Sequence, residues 1–230
     1  MKKEPAKIEE TIALWFNHTY DLLGSEKDKE NSAIGRVLFS SIPIVDNYIQ
    51  SAINILNEGK KLPAKALIRI TSELTAKIIW CIEGKDSEEI SRRIKRWDKQ
   101  SLMQENKLIS KFKDSEKEEI KKFYEQRTAH INSLSPQVEG VKKMPVMADI
   151  LEDELYAEVF VQFNDAVHID TFVLNKTIND NMTTVEYSGD TKDNVELLKE
   201  CCLDSVYIFF CSIYAFFGWD YTEIEKEFLI

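Results

Sequence analysis

The chain has 230 residues, 43% of them hydrophobic, with 7 Gly, 5 Pro and a formal net charge of −10. That length fits one large domain or two small ones, and so few turn-formers argue against a many-stranded β architecture. The acidity argues against a surface built as a whole to hold nucleic acid, because it repels phosphates.

The first predicted helix spans Ile8 to Leu23, with Ile8, Ile12, Trp15, Thr19 and Leu22 at helical spacing and Gly24 as its stop. A polar SEKDKEN connection follows. Asn31 or Ser32 caps a second helix that runs to Asn57 through Pro43, where a kink or break is expected. Gly59 ends it, and Pro63 suits the first turn of the next helix. That third helix, Pro63 to Trp80 with its stop at Gly84, reads as the hub. Lys65, Arg69, Glu73 and Lys77 fall on one line at i, i+4, while Ala66, Leu67, Ile68, Ile70, Leu74, Ala76, Ile78 and Ile79 cover the other faces. A helix apolar over most of its circumference belongs at the centre of its domain.

Asp86-Ser-Glu-Glu89 has the form of a capping box and opens a fourth helix to Phe112, anchored by Ile90, Ile94, Trp97, Leu102 and Leu108. Ser115-Glu-Lys-Glu118 has the same form ahead of a fifth helix whose inward line is Ile120, Phe123, Tyr124, Arg127, Ile131 and Leu134. Residues 133–145 are loop-like and read as a boundary or a mobile crossover. A sixth helix follows over 148–170, then a stretch at 171–190 compatible with a small hairpin or an ordered loop. Asp190 or Thr191 caps an apolar seventh helix ending at Gly218, and Asp220-Tyr-Thr-Glu223 opens a short terminal one. The expectation is an all-α, single-domain bundle over 1–230 of about seven to eight helices, with a hairpin or loop insertion before the apolar C-terminal helix.

Only Ser205 to Trp219 hints at a membrane, and its about 15 apolar residues fall short of the roughly 20 a span needs, so a buried core helix is expected. The amino terminus lacks the long apolar run and cleavage site of a secretory signal. Cys81, Cys201, Cys202 and Cys211 form no C-x-x-C pair and read as reduced core residues of a cytoplasmic protein.

One segment breaks the acidic balance. From Ser91 to Lys122 there are 11 Lys or Arg against 6 Asp or Glu, a local charge of +5 that leaves −15 for the rest. The plainer account is a solvated helix face of mixed charge. The sharper one is a docking patch for an acidic protein partner or RNA, with Arg92, Arg93 and Arg96 as contacts. Self-association into a homo-oligomer is compatible with either.

The three histidines, His18, His130 and His168, lack the paired spacing of metal ligands. No G-x-S-x-G elbow and no Gly-rich phosphate loop occurs, so no cofactor or metal is expected. Two spots remain. Arg69 and Glu73 form an i, i+4 pair on the third helix. Facing solvent the pair is structural; facing inward, Arg69 offers a planar fork suited to a carboxylate or phosphate. Arg127 and His130 are neighbours on one flank of the fifth helix, and Asn164 and His168 are i, i+4 neighbours on the sixth. His130 and His168 are either satisfied interface histidines or, with Arg127, an acid–base set beside an anion stabiliser. Asn164 joins Arg69 and Glu73 as a candidate ligand contact.

ALIRITSELTAKIIW, RRIKRW and VFVQFNDAVHID resemble a family of bacterial helical proteins known only as a domain of unknown function. Arg69-x-x-x-Glu73, Trp80 and Val167-His168 carry the resemblance, which covers roughly 61–170. It implies an α-helical cytosolic fold and supplies no activity. A more distant similarity is to HEPN-type helical domains, many of them metal-independent ribonucleases with an Arg-x(4 to 6)-His motif on a late helix. Here Arg127 and His130 are separated by two residues.

Three functions are therefore expected, in this order. The first is a non-enzymatic binding or regulatory module with a protein partner, placed by analogy in bacterial stress or phage defence. The second is a metal-independent ribonuclease using Arg127, His130 and His168. The third is an anion binder centred on Arg69.

Overall fold

The computed structural model describes residues 5–25, 32–84, 86–145, 150, 163, 195–222 and 224. Among them are six α-helices, two 3-10 turns and no strand, so the chain is all-α. The helices are α1 (Pro5–Ser25), α2 (Ala33–Asn57), α3 (Lys61–Ile82), α4 (Ser87–Ile109), α5 (Glu118–Leu134) and α6 (Val195–Phe217). The 3-10 turns are Ser110–Phe112, after α4, and Pro136–Val138, after α5. The hairpin predicted over 171–190 and, apart from residues 150 and 163, the helix predicted over 148–170 lie outside the described residues.

Close packing divides the chain into two compact units. One comprises Met1–Ile78 with Met147–Ile230, and the other Ile79–Val146, so the division falls inside α3.

In the first unit α6 packs against both α1 and α2, which also pack on each other. An aromatic cluster fills the space between α1 and α6. Phe210 meets Phe16 edge-on at 4.9 Å between centroids, Trp15 at 6.3 Å and Tyr214 at 6.1 Å. Such T-shaped pairs put ring edges against ring faces, adding to the burial itself. The polar atoms of this core find partners. Thr19 Oγ1 donates to the Trp15 carbonyl at 2.8 Å and lies 3.0 Å from the Tyr214 hydroxyl. Burial raises the Tyr214 pKa, and the bond to Thr19 partly offsets it. Glu9 Oε1 ties three helices together, accepting from Asn57 at 3.3 Å and from the buried Lys199.

The hub is α6, where α3 was expected. Twelve α6 residues are buried, from Leu198 to Phe217. The inward face of α3 carries hydroxyls, Thr71, Ser72 and Thr75, beside Ala64, Ile68 and Ala76. Each hydroxyl returns a hydrogen bond to the carbonyl four residues back, and Ser72 Oγ also meets Ser205 Oγ of α6 at 3.1 Å. The charged line is not the solvent face. Lys65 is 8% exposed, with its Nζ 5.6 Å from the centre of the Phe163 ring, whereas the apolar Ile70 is 38% exposed. Counting apolar residues round the helix misplaced the inward face, because hydroxyls that bond their own helix are cheap to bury.

Residues 205–217 of the apolar run belong to a 23-residue helix, α6, which by length and composition alone is sufficient to cross a bilayer. Here 56% of its most apolar window is buried within the fold. The Pro43 kink expected in α2 does not divide it: the helix is continuous from Ala33 to Asn57, capped by Ser32 Oγ accepting from the Gly35 amide at 2.9 Å.

The second unit is a helical hairpin. α4 and α5 pack side by side, and cross-links between residues 98 and 130, 105 and 127, and 106 and 128 make them antiparallel. Asp86 caps α4 as expected, accepting from Glu89 N at 2.8 Å. Ser115 does not cap α5. The helix starts at Glu118 with Lys117 in the cap position, and Ser115 Oγ accepts from Lys117 N instead. Gly84 lets the chain turn tightly from α3 into α4, since a Cβ there would stand 2.6 Å from Ile90 Cγ1 and 3.0 Å from Ile90 N.

Candidate binding groove on the second unit

The groove is built where the end of α3, the first turns of α4 and residues 139–145 meet. It encloses about 730 Å³ and is lined by Trp80, Asp86, Glu88, Glu89, Arg92, Arg93, Gly140, Val141, Lys142, Lys143 and Pro145. Positions 88, 89, 92 and 93 share one α4 face because they are three or four apart. The opposite wall is the chain leaving the Pro136–Val138 turn. It is held by three bonds: Arg92 Nη2 donates to the Glu139 carbonyl, the Val141 amide to the Val138 carbonyl at 3.1 Å, and the Met144 amide to Gln100 Oε1 at 3.2 Å. Gly140 makes the bend between them at φ +76°, a conformation that costs side-chain-bearing residues about 1–2 kcal/mol. Two of these bonds, at residues 139 and 144, tie to α4 the stretch read as a boundary or mobile crossover.

Arg93 is the most constrained cation of the groove. Its Nη1 donates to the Trp80 carbonyl at 2.6 Å, its guanidinium lies 5.5 Å from the centre of the Trp80 ring, and its Nε and Nη2 both reach Glu89 Oε1, at 3.1 and 2.8 Å. An i, i+4 pair of this kind contributes only about 0.2–0.5 kcal/mol in water. Cys81, next to Trp80, is buried. Burial pushes its thiol up to about 12 despite the nearby Arg93 charge, so it stays protonated and unreactive.

The groove gathers four cations, Arg92, Arg93, Lys142 and Lys143, and three acids, two of which already have work. Asp86 holds the α4 cap and Glu89 holds Arg93. The second unit as a whole carries 15 Lys and Arg against 12 Asp and Glu, so it is +3 and leaves −13 for the remainder of a chain at −10.

Of the partner contacts predicted from sequence, Arg92 and Arg93 line the groove and Arg96 does not; its Nε is enclosed without a hydrogen-bond partner among the described residues. Lys142, Lys143, Glu89 and Trp80 were missed as site residues. The Glu89–Arg93 spacing was a usable signal, but the approach of 142–143 to α4 has no local signature.

Arg127 and His130 both turn to α4, each to its own carboxylate. Arg127 pairs with Glu105 and lies over the Phe123 ring at 4.6 Å; His130 Nε2 is 3.3 Å from Asp98 Oδ2. Their expected companion His168 and the ligand candidate Asn164 lie outside the described residues. On α3, Glu73 Oε1 accepts from Lys77 Nζ at 2.6 Å, with Arg69 half-buried one turn earlier. No cluster of three or more His, Cys, Asp or Glu suited to a metal occurs among the described residues. The chain matches no family model, no curated protein and no solved structure.

Proposed function

We propose that the protein is a non-enzymatic binding module that takes an acidic segment of a partner protein into the groove between α4 and residues 139–145. The observation that carries this reading is the convergence of Arg92, Arg93, Lys142 and Lys143, from two separate parts of the chain, on one concave surface of a net-positive unit. Clustered cations in a cleft attract and orient an acidic segment from a distance, an effect that fades as salt screens it. Binding measured with a labelled glutamate-rich peptide should weaken at least tenfold when Lys142 and Lys143 are both changed to Glu, with the melting temperature unchanged. Equal affinity in that variant would refute the reading.

The ribonuclease alternative depends on Arg127 and His130 facing a phosphate. Both instead pair with α4 carboxylates, Glu105 and Asp98, and neither lines the groove. The binding reading predicts no cleavage of single-stranded RNA by the purified chain; cleavage that His130→Ala abolishes would favour the ribonuclease.

A further inference from the structure

Arg93 is fixed on three sides before any partner arrives. Its Nη1 is anchored to the Trp80 carbonyl and its guanidinium carbon lies 5.5 Å from the centre of the indole ring, while the Nε–Nη2 edge is turned toward a carboxylate, that of Glu89. That edge is the one whose two parallel donors match a carboxylate. Its side chain is 20% exposed, and an already ordered fork has little freedom left to lose on binding. Resting on the groove reading above, we propose that the Nε–Nη2 edge of Arg93 is the subsite for one carboxylate side chain of the acidic partner segment, and that Glu89 occupies it as an internal stand-in until the segment arrives.

Glu89 is suited to that part. It sits one turn before Arg93 on the same helix, and its side chain is 36% exposed. A side-chain rotation is enough to move its carboxylate off Arg93. Exchanging one carboxylate for another leaves Arg93 paired throughout, so no buried charge is stranded at any stage. Lys142 and Lys143 on the facing wall then supply attraction for the flanking acids of the segment. Arg92 has a different task, since its guanidinium donates to the Glu139 carbonyl and holds the wall itself.

The test is fluorescence polarisation of labelled hexaglutamate with the full chain at low salt. Glu89→Gln, which removes the competing charge, should tighten binding about three- to tenfold, and Arg93→Lys, which keeps the charge but loses the fork, should weaken it about tenfold. If Glu89→Gln binds no tighter than the unaltered chain while Lys142→Glu with Lys143→Glu still weakens binding, the subsite is overturned and the groove reading stands. If the lysine reversals change nothing, or no form binds hexaglutamate, the groove reading falls and the subsite falls with it. A second readout is independent of any arginine variant: the Arg93 Nε resonance should shift as hexaglutamate saturates the unaltered chain, and an unmoved resonance overturns the subsite. Tighter binding of a single-stranded oligouridylate of equal charge would overturn the assignment to an acidic protein segment.

Discussion

In the first unit α6 alone buries twelve residues, whereas in the second α4 and α5 between them bury Ile90 and Leu134 among the side chains described. The second unit is held instead by polar stitches: Arg93 to Glu89 and the Trp80 carbonyl, Arg92 to the Glu139 carbonyl, Arg127 to Glu105, and Asn106 to Thr128 at 3.1 Å. Apolar burial is worth about 25 cal/mol per Å², while exposed ion pairs contribute at most about 1 kcal/mol each. One unit therefore carries the stability and the other displays charged groups that a ligand can recruit. The comparison implies that α4 and α5 open before α1, α2 and α6, and hydrogen exchange should show lower protection in the hairpin. Equal protection in both units would break the contrast.

The largest expected effect lies in the aromatic core. Phe210→Ala removes the ring that Phe16, Trp15 and Tyr214 all touch, and should destabilise by about 3–5 kcal/mol in denaturant unfolding. A loss below about 1 kcal/mol would mean the cluster is not the keystone of the first unit.

Gly84→Ala probes the second unit. The new methyl meets both the Ile90 side chain and its backbone nitrogen, so about 1–3 kcal/mol should be lost, with exchange rising first in α4. Asp86→Ala, which removes the α4 cap, should cost about 1 kcal/mol. His130→Ala should cost under about 0.5 kcal/mol, because the pair with Asp98 is half-exposed on both sides.

Alkaline pH sharpens the contrast in another way. Burial raises the Cys81 thiol from its ordinary 9.0 to about 12, and raises Cys202 and Tyr214 in the first unit as well. Tyr20 is also raised, by burial and then by its bond to Asp46. These groups keep their protons in the folded chain to higher pH than in the unfolded one. Their contribution is complete below pH 9.0 and is lost as pH climbs toward about 12. Melting temperature should fall steadily from pH 9 upward, and Cys81→Ser should make that fall shallower.

Much of this molecule was legible in the chain because it rests on local rules. Helical spacing set the inward stripe of α1 from Ile8 and Ile12 through Thr19, the Asp86 cap needs only its neighbour Glu89, and few Gly and Pro argued against a many-stranded sheet. The groove was half legible. Arg92 and Arg93 were visible as basic residues of α4, but Lys142 and Lys143 reach it only through the Gly140 bend and the Met144–Gln100 bond. Which face of α3 turns inward was decided by tertiary structure too, since Ser72 finds Ser205 on a helix 133 residues away. Periodicity fixes that a helix exists and how its side chains are spaced; only the neighbours packed against it determine which spacing becomes the buried one, and which charges are left facing a common space.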